Sequence, residues 1–173
     1  MNTADRSIAL LDKALRRRFG FVELMPYSAI LGNTSLQGVP LGPWLDCINR
    51  SIRQRVGRDA RNLQIGHSYL MEKDRPIGEF SRFAQVLQDE IVPLLEEYCY
   101  EDYSALAEIL GNGLVDATNQ FVRQELFEDS RRADLIQALL EPYPEIATSR
   151  QAIASETQAA IEETDETDNE KEQ

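Results

Sequence analysis

The chain predicts a mainly α-helical fold, and three observations carry that expectation. Apolar residues recur at intervals of three and four through most of residues 8–140, the spacing that lines one face of a helix. A single stretch, "FGFVELMP", reads as a strand. From 151 to 173 there are eight acidic residues against Lys171 alone, with no aromatic residue and few apolar ones, so this tail is expected to stay disordered.

The elements follow in order. Ile8, Leu11, Leu15 and Phe19 share one face of a first helix, with Ser7 placed to cap its start. The strand comes next and is stopped by Pro26. A Gly- and Pro-rich passage over 32–43 marks a boundary. Trp44, Leu45, Ile48 and Ile52 then resume the helical spacing. The longest helical pattern runs through Phe80, Phe83, Leu87, Ile91, Leu94 and Tyr98. Pro93 inside it should kink it or split it. A helix over 103–110 stops at "GNG", and two weaker segments over 115–127 and 132–140 complete the ordered part. A lone strand needs a partner for its edges. Either it pairs with a segment absent from this chain or it is not a strand.

Composition narrows the function classes. The 173 residues allow one domain, or one domain and a tail. No apolar run approaches the roughly 18 residues of a membrane span, and no signal-peptide pattern follows Met1, so a cytoplasmic protein without membrane contact is expected. Cys47 and Cys99 stand far apart and fit two buried, reduced thiols. His67 is the sole histidine, which leaves no zinc site, and no metal ligands are assigned. The net charge of −12 argues against direct, general nucleic-acid binding, although −7 of it lies from 151 onward.

Three stretches carry a more specific signal: "MNTADRSIALLDKALRRRF" at the start, "IGHSYLM" at 65–71 and "EIVPLLEEYCYEDY" at 90–103. In this order they resemble the C-terminal part of an AAA+ nucleotide hydrolase of the McrB type, the GTP-hydrolysing motor of the modified-cytosine-dependent restriction system. The resemblance covers roughly residues 1–110. It implies the end of an AAA+ α/β core at 1–26, carrying sensor 1 and the arginine finger, and a helical lid at 27–112. A helical extension at 113–149 and the acidic tail at 150–173 would follow.

The resemblance also implies roles. Asn2 fits sensor 1, because an amide can donate to a phosphate and accept from the attacking water. Asp5, in "NTAD", resembles the carboxylate that reads guanine in NKxD, with Thr3 in place of the lysine. The bland alternative for this stretch is an Asx-turn leading into the Ser7 cap. Arg17, with Arg18 and Arg16 next, resembles the finger that reaches a neighbouring subunit's γ-phosphate. Without that partner the same arginines would simply favour the helix's negative end. Arg6 and Asp12 would lie at the subunit interface. His67 and Ser68 stand in the lid segment that approaches the nucleotide, and the alternative for His67 is a hydrogen-bonded structural residue. Glu96 and Glu97 are adjacent, point about 100° apart and read as a solvated face.

No GxxxxGK[ST] loop occurs, since there is no GK dipeptide and the two lysines before the tail, Lys13 and Lys73, lack a glycine-rich context, and no acidic residue follows an apolar strand as Walker B requires. In the family both precede the "MNTADRS" motif, so they are expected upstream of residue 1. The chain alone should hydrolyse nothing and fold poorly, with its compact part near 41–110. GTP or ATP with Mg2+, a homo-oligomeric hexameric ring, a nuclease subunit and only indirect DNA contact are what the resemblance implies. The competing reading is a non-enzymatic helical interaction module derived from an AAA+ lid. A DNA-binding bundle is disfavoured, because no basic stripe accompanies the helices.

Overall fold

A computed structural model describes residues 22–57 and 60–146. The helix expected over 8–19, the acidic tail, and Asn2, Asp5, Arg6, Asp12, Arg16, Arg17 and Arg18 all lie outside those residues. What is described is mainly helical, as the spacing predicts, but three small hairpins punctuate it.

Helix α1 (Leu41–Arg55) is the centrepiece. Leu41, Trp44, Leu45, Ile48 and Ile52 fall on one face at helical spacing, and all are at most 1% exposed. It starts three residues before the expected Trp44, because Gly42 and Pro43 fit a first turn whose N–H groups have no intrahelical acceptor. Arg53 and Arg55 sit in its last turn, where the helix dipole favours cations.

Helix α2 (Phe80–Val86) passes through one wide π turn (Leu87–Ile91) into α3 (Val92–Tyr98). The helical path is therefore not split at Pro93, which lies in the first turn of α3. The wide turn immediately before it accommodates the missing N–H without breaking the rod. Helix α4 (Tyr103–Leu110) is capped by Asp102, whose Oδ1 accepts the N–H groups of Ser104 and Ala105 at 3.0 and 3.1 Å. Helix α5 (Arg132–Leu140) matches the segment expected there.

The strands are not where the sequence predicts one. Residues 22–27, the described part of "FGFVELMP" and its continuation, form no strand, since no partner strand lies beside them among the described residues. Instead, β1 (Ser35–Leu36) pairs with β2 (Val39–Pro40), β3 (Met71–Glu72) with β4 (Arg75–Pro76), and β5 (Val115–Asp116) with β6 (Phe121–Val122), all antiparallel. One further bond extends each hairpin at its open end. Leu41 N–H donates to Thr34 O, Ile77 to Leu70 O and Arg123 to Leu114 O, at 3.0, 3.0 and 2.9 Å. The helix expected over 115–127 is therefore wrong. That stretch is the third hairpin followed by a 3-10 turn (Gln124–Phe127), with Asp116 accepting from the Asn119 N–H at 2.9 Å to fold its loop.

One core joins all of this. Trp44 meets Phe83 edge-to-face at 5.3 Å between ring centres, and Phe83 meets Phe80 at 5.9 Å. The same core takes in Leu114, Val122, Leu135, Leu139, Tyr143 and Ile146. The compact part therefore reaches Ile146, well beyond the expected 110. Apolar residues after "GNG" return to the first helices instead of trailing away.

Candidate functional site

The loop before His67 is held from inside. Asn49, on the buried face of α1, donates through Nδ2 to Ile65 O at 2.9 Å and accepts the Ile65 N–H on Oδ1 at 2.7 Å. A buried amide that satisfies both backbone groups of one residue fixes where that residue sits. Gly66 follows in extended conformation and opens the 3-10 turn His67–Leu70, whose Leu70 is fully buried.

His67 is half-buried, and its Nδ1 accepts the backbone N–H of Tyr27 at 3.1 Å. An accepting Nδ1 puts the ring proton on Nε2. Ser68 is exposed, its Oγ folded towards Gly66, where an added Cβ would come within 3.2 Å of it. The structure therefore brings His67 and Ser68 together on one short turn and gives His67 a hydrogen-bonding task in the protein. Tyr69 is half-buried against the core and lies close to Tyr98, whose hydroxyl is pushed up to about 12, mainly by burial.

The segment that leads into α1 is tied to the same region. Glu23 pairs with Arg61 at 2.8 Å, and Ser28 Oγ donates to Asp46 Oδ2 at 2.8 Å. Arg61 belongs to the loop that Gln64 connects to α1, because Gln64 donates to Arg61 O at 2.8 Å and accepts from Arg53 at 2.6 Å. The apolar side chains of this lead-in face away, with Val22 85%, Leu24 91% and Tyr27 63% exposed.

The acidic pair on α3 is not uniformly solvated. Glu97 is exposed, but Glu96 is half-buried and accepts from the Tyr103 hydroxyl at 3.2 Å, so it braces α4 against α3. Cys47 and Cys99 are both buried thiols. Burial is the main cause that pushes each up to about 11, with the Glu145 carboxylate adding to it at Cys47, so neither is a thiolate near neutral pH. Among the described residues no three His, Cys, Asp or Glu stand together as metal ligands. No described helix is long and apolar enough to cross a membrane. What the site presents is a fixed turn and hydrogen-bonding groups.

Asn49 was not singled out from the sequence, yet a signal was there. It is a polar residue at the buried edge of an apolar helical face, beside Ile48 and Ile52.

Comparison with known proteins places this region. Residues 40–107 match the family model described as the McrB α-helical lid domain. The chain is 32% identical over 114 residues to the type IV methyl-directed restriction enzyme EcoKMcrB subunit of Escherichia coli strain K12, which covers 59% of this chain and 25% of that protein. The chain thus spans a quarter of the length of the curated relative it matches. No solved structure matches it.

Proposed function

We propose that this chain, which carries an McrB-type lid at residues 40–107, is the lid-bearing segment of a nucleotide-hydrolysing subunit in a restriction system. The observation that supports this reading is the lid match itself, with the "IGHSYLM" loop inside it. In this reading Asn2 orients the attacking water and Arg17, backed by Arg18 and Arg16, reaches a neighbouring subunit's γ-phosphate. Asp5 reads the base, Arg6 and Asp12 lie at the subunit boundary, and His67 with Ser68 closes over the nucleotide. Phosphate binding and hydrolysis depend on a P-loop that this chain does not carry. The complete motor is a cytoplasmic homo-oligomeric ring that uses GTP or ATP and drives a nuclease subunit, with DNA contacted only through other parts.

The test starts from the DNA upstream of the Met1 codon, translated in the same frame. A P-loop and an acidic Walker B strand are expected there. The resulting longer protein should hydrolyse GTP or ATP, and the present chain alone should not. Arg17→Ala should lower hydrolysis by about 1,000-fold, the scale of a lost arginine finger, while nucleotide binding stays intact. If neither the upstream frame nor an adjacent gene encodes a P-loop, the enzyme reading fails and a lid-derived interaction module takes its place.

A further inference from the structure

Between α2 and the segments that follow the lid match lies a cleft of about 230 Å3. Its floor is apolar, made by Phe80 and Ala84 on α2, Phe127 at the end of the 3-10 turn and Leu135 on α5. Phe80, Ala84 and Leu135 are buried, and Phe127 packs half-buried against the core. A cavity of roughly 150 Å3 is enough to hold benzene, so this cleft takes one bulky side chain and little more. One wall belongs to the matched region and the other to residues 124–135, so the cleft exists because the chain folds back on α2.

The rim is polar, and its charges do not cancel. Arg132 already has its partners, since its Nη2 pairs with Asp129 at 2.9 Å and its guanidinium lies over the Phe80 ring, 5.9 Å from the ring centre. The cleft thus holds one guanidinium between a carboxylate and an aromatic face. Glu128, next to Asp129, is exposed, and neither it nor Glu125 has an ion pair among the described residues. The carboxylate of Glu128 meets the Ser130 hydroxyl at 3.5 Å, which leaves its charge in place. Two glutamines complete the rim. Gln88 donates to Gln124 Oε1 at 3.1 Å, joining the two walls, and Gln85 accepts from Arg82 at 3.0 Å. Gln85 Nε2 and Gln88 Oε1, one donor and one acceptor, then have no partner among the described residues.

We infer that this cleft docks a linear segment of a partner protein in which a bulky apolar residue stands next to a lysine or an arginine. The apolar side chain fills the floor, the cation meets Glu128, and the segment's backbone bonds to Gln85 and Gln88. Charge decides the occupant. An acidic segment would meet Glu125 and Glu128 with Arg132 already taken by Asp129. The same repulsion turns away the chain's own stretch from 151 onward, which carries a net charge of −7. One buried side chain and one exposed ion pair make a small contact, so docking is weak and reversible. The inference needs no nucleotide and stands apart from the function proposed above.

The probe is the blocked tetrapeptide acetyl-Gly-Leu-Arg-Gly-amide, titrated into the full chain and followed residue by residue by NMR. Saturable shifts are expected in the side-chain amides of Gln85 and Gln88 and in the backbone of Phe127 and Glu128, with half-saturation on the order of 1 mM. Asn49 and Ile65, which lie outside the cleft, should not move. The same peptide with glutamate in place of arginine should bind at least about 5-fold more weakly, the worth of one exposed ion pair. Glu128→Lys, a change at an exposed position that leaves the core intact, should reverse the preference. No saturable shift at about 10 mM peptide, equal affinity for the two peptides, or a preference that Glu128→Lys leaves unchanged overturns the inference. Shifts of the same residues that grow with protein concentration in the absence of peptide also overturn it, because a second copy of the chain is then the occupant.

Discussion

Asn49 and Trp44 face each other as opposites at the scale of single residues. Asn49 is 3% exposed and spends both ends of its amide on Ile65. Trp44 is 1% exposed, and its indole N–H has no partner among the described residues, so its value lies in volume and in the edge-to-face contact with Phe83. Asn49→Ala leaves a buried N–H and a buried C=O without partners and should cost about 2–4 kcal/mol. Urea denaturation followed by Trp44 fluorescence measures this, and a loss below about 0.5 kcal/mol would contradict the clamp. Arg50→Ala is the control. Its ion pair with Glu145 is about half exposed on both sides, so the change should stay within about 1 kcal/mol.

Titration also belongs to single residues. Tyr143 is 4% exposed, donates its hydroxyl proton to Ile109 O at 2.6 Å, and has its pKa pushed up to about 12, chiefly by burial. Tyr98 is raised to about 12, and the two thiols to about 11. A pKa higher in the folded than in the unfolded chain means that the folded state holds its proton more tightly. That stability is complete below the unfolded value and is lost as pH rises through the folded one. Stability against urea should therefore fall across pH 9–11 as the thiols ionise and across pH 10–12 as the tyrosines do. The Tyr143 share is about 2 kcal/mol. Equal stability at pH 8 and pH 11.5 would refute this account. In the native chain at pH 8, both thiols should react with a disulfide reagent far more slowly than in the unfolded chain.

At the scale of elements, the helices were legible and the hairpins were not, for a physical reason. A helix of 15 residues repeats its apolar spacing several times, and α1 read clearly from that repetition, whereas the 9 residues of α5 gave only a weaker signal. A two-residue strand shows no alternation at all. Its signal lay in turn chemistry: Gln37-Gly38 and Lys73-Asp74 are two-residue loops in which both residues have positive φ, at 51° and 92°, and at 46° and 66°. Val115, Val122 and Leu126 happen to sit seven and four apart, so a hairpin and a 3-10 turn passed for a helix. Within the site, the place of His67 in the lid followed from a resemblance, whereas its bond to Tyr27, 40 positions away, has no local signature.

The same turns supply an element-scale prediction. Asp74 holds a positive φ that glycine adopts freely, and Gly38 already has glycine where φ is 92°. Asp74→Gly should stabilise the chain by about 0.5–1 kcal/mol, and Gly38→Ala should destabilise it by about 1 kcal/mol or more. Thermal melts of the two variants should shift in opposite directions. Two shifts of the same sign would mean that the hairpin loops do not hold these conformations.

At the scale of the whole molecule, the question is whether the part beyond the lid match is an appendage or a component. The match ends at 107, yet the chain returns to the lid in two places. At "GNG", Gly113 lies so close to α5 that a Cβ there would come within 2.8 Å of Glu141 Oε2 and 3.0 Å of Ala138 Cβ. The Gly113 N–H also donates to Glu141 at 2.6 Å, and Arg123 Nη1 donates to the Gly113 carbonyl at 2.7 Å. Further on, Tyr143 bonds to α4 through Ile109 O, Cys47 Sγ lies 3.4 Å from Glu145 Oε1, and Ile146 is 3% exposed. A segment with its own core would unfold separately, but this one contributes Leu114, Leu135, Leu139 and Tyr143 to the core of α1. Gly113→Ala should therefore cost about 1–3 kcal/mol through overpacking against α5. The loss should appear equally in the amide exchange of α1 and of α5, with a single unfolding transition. If α5 loses protection while Ile48 and Ile52 keep theirs, the extension is a separate unit, and the lid stands without it.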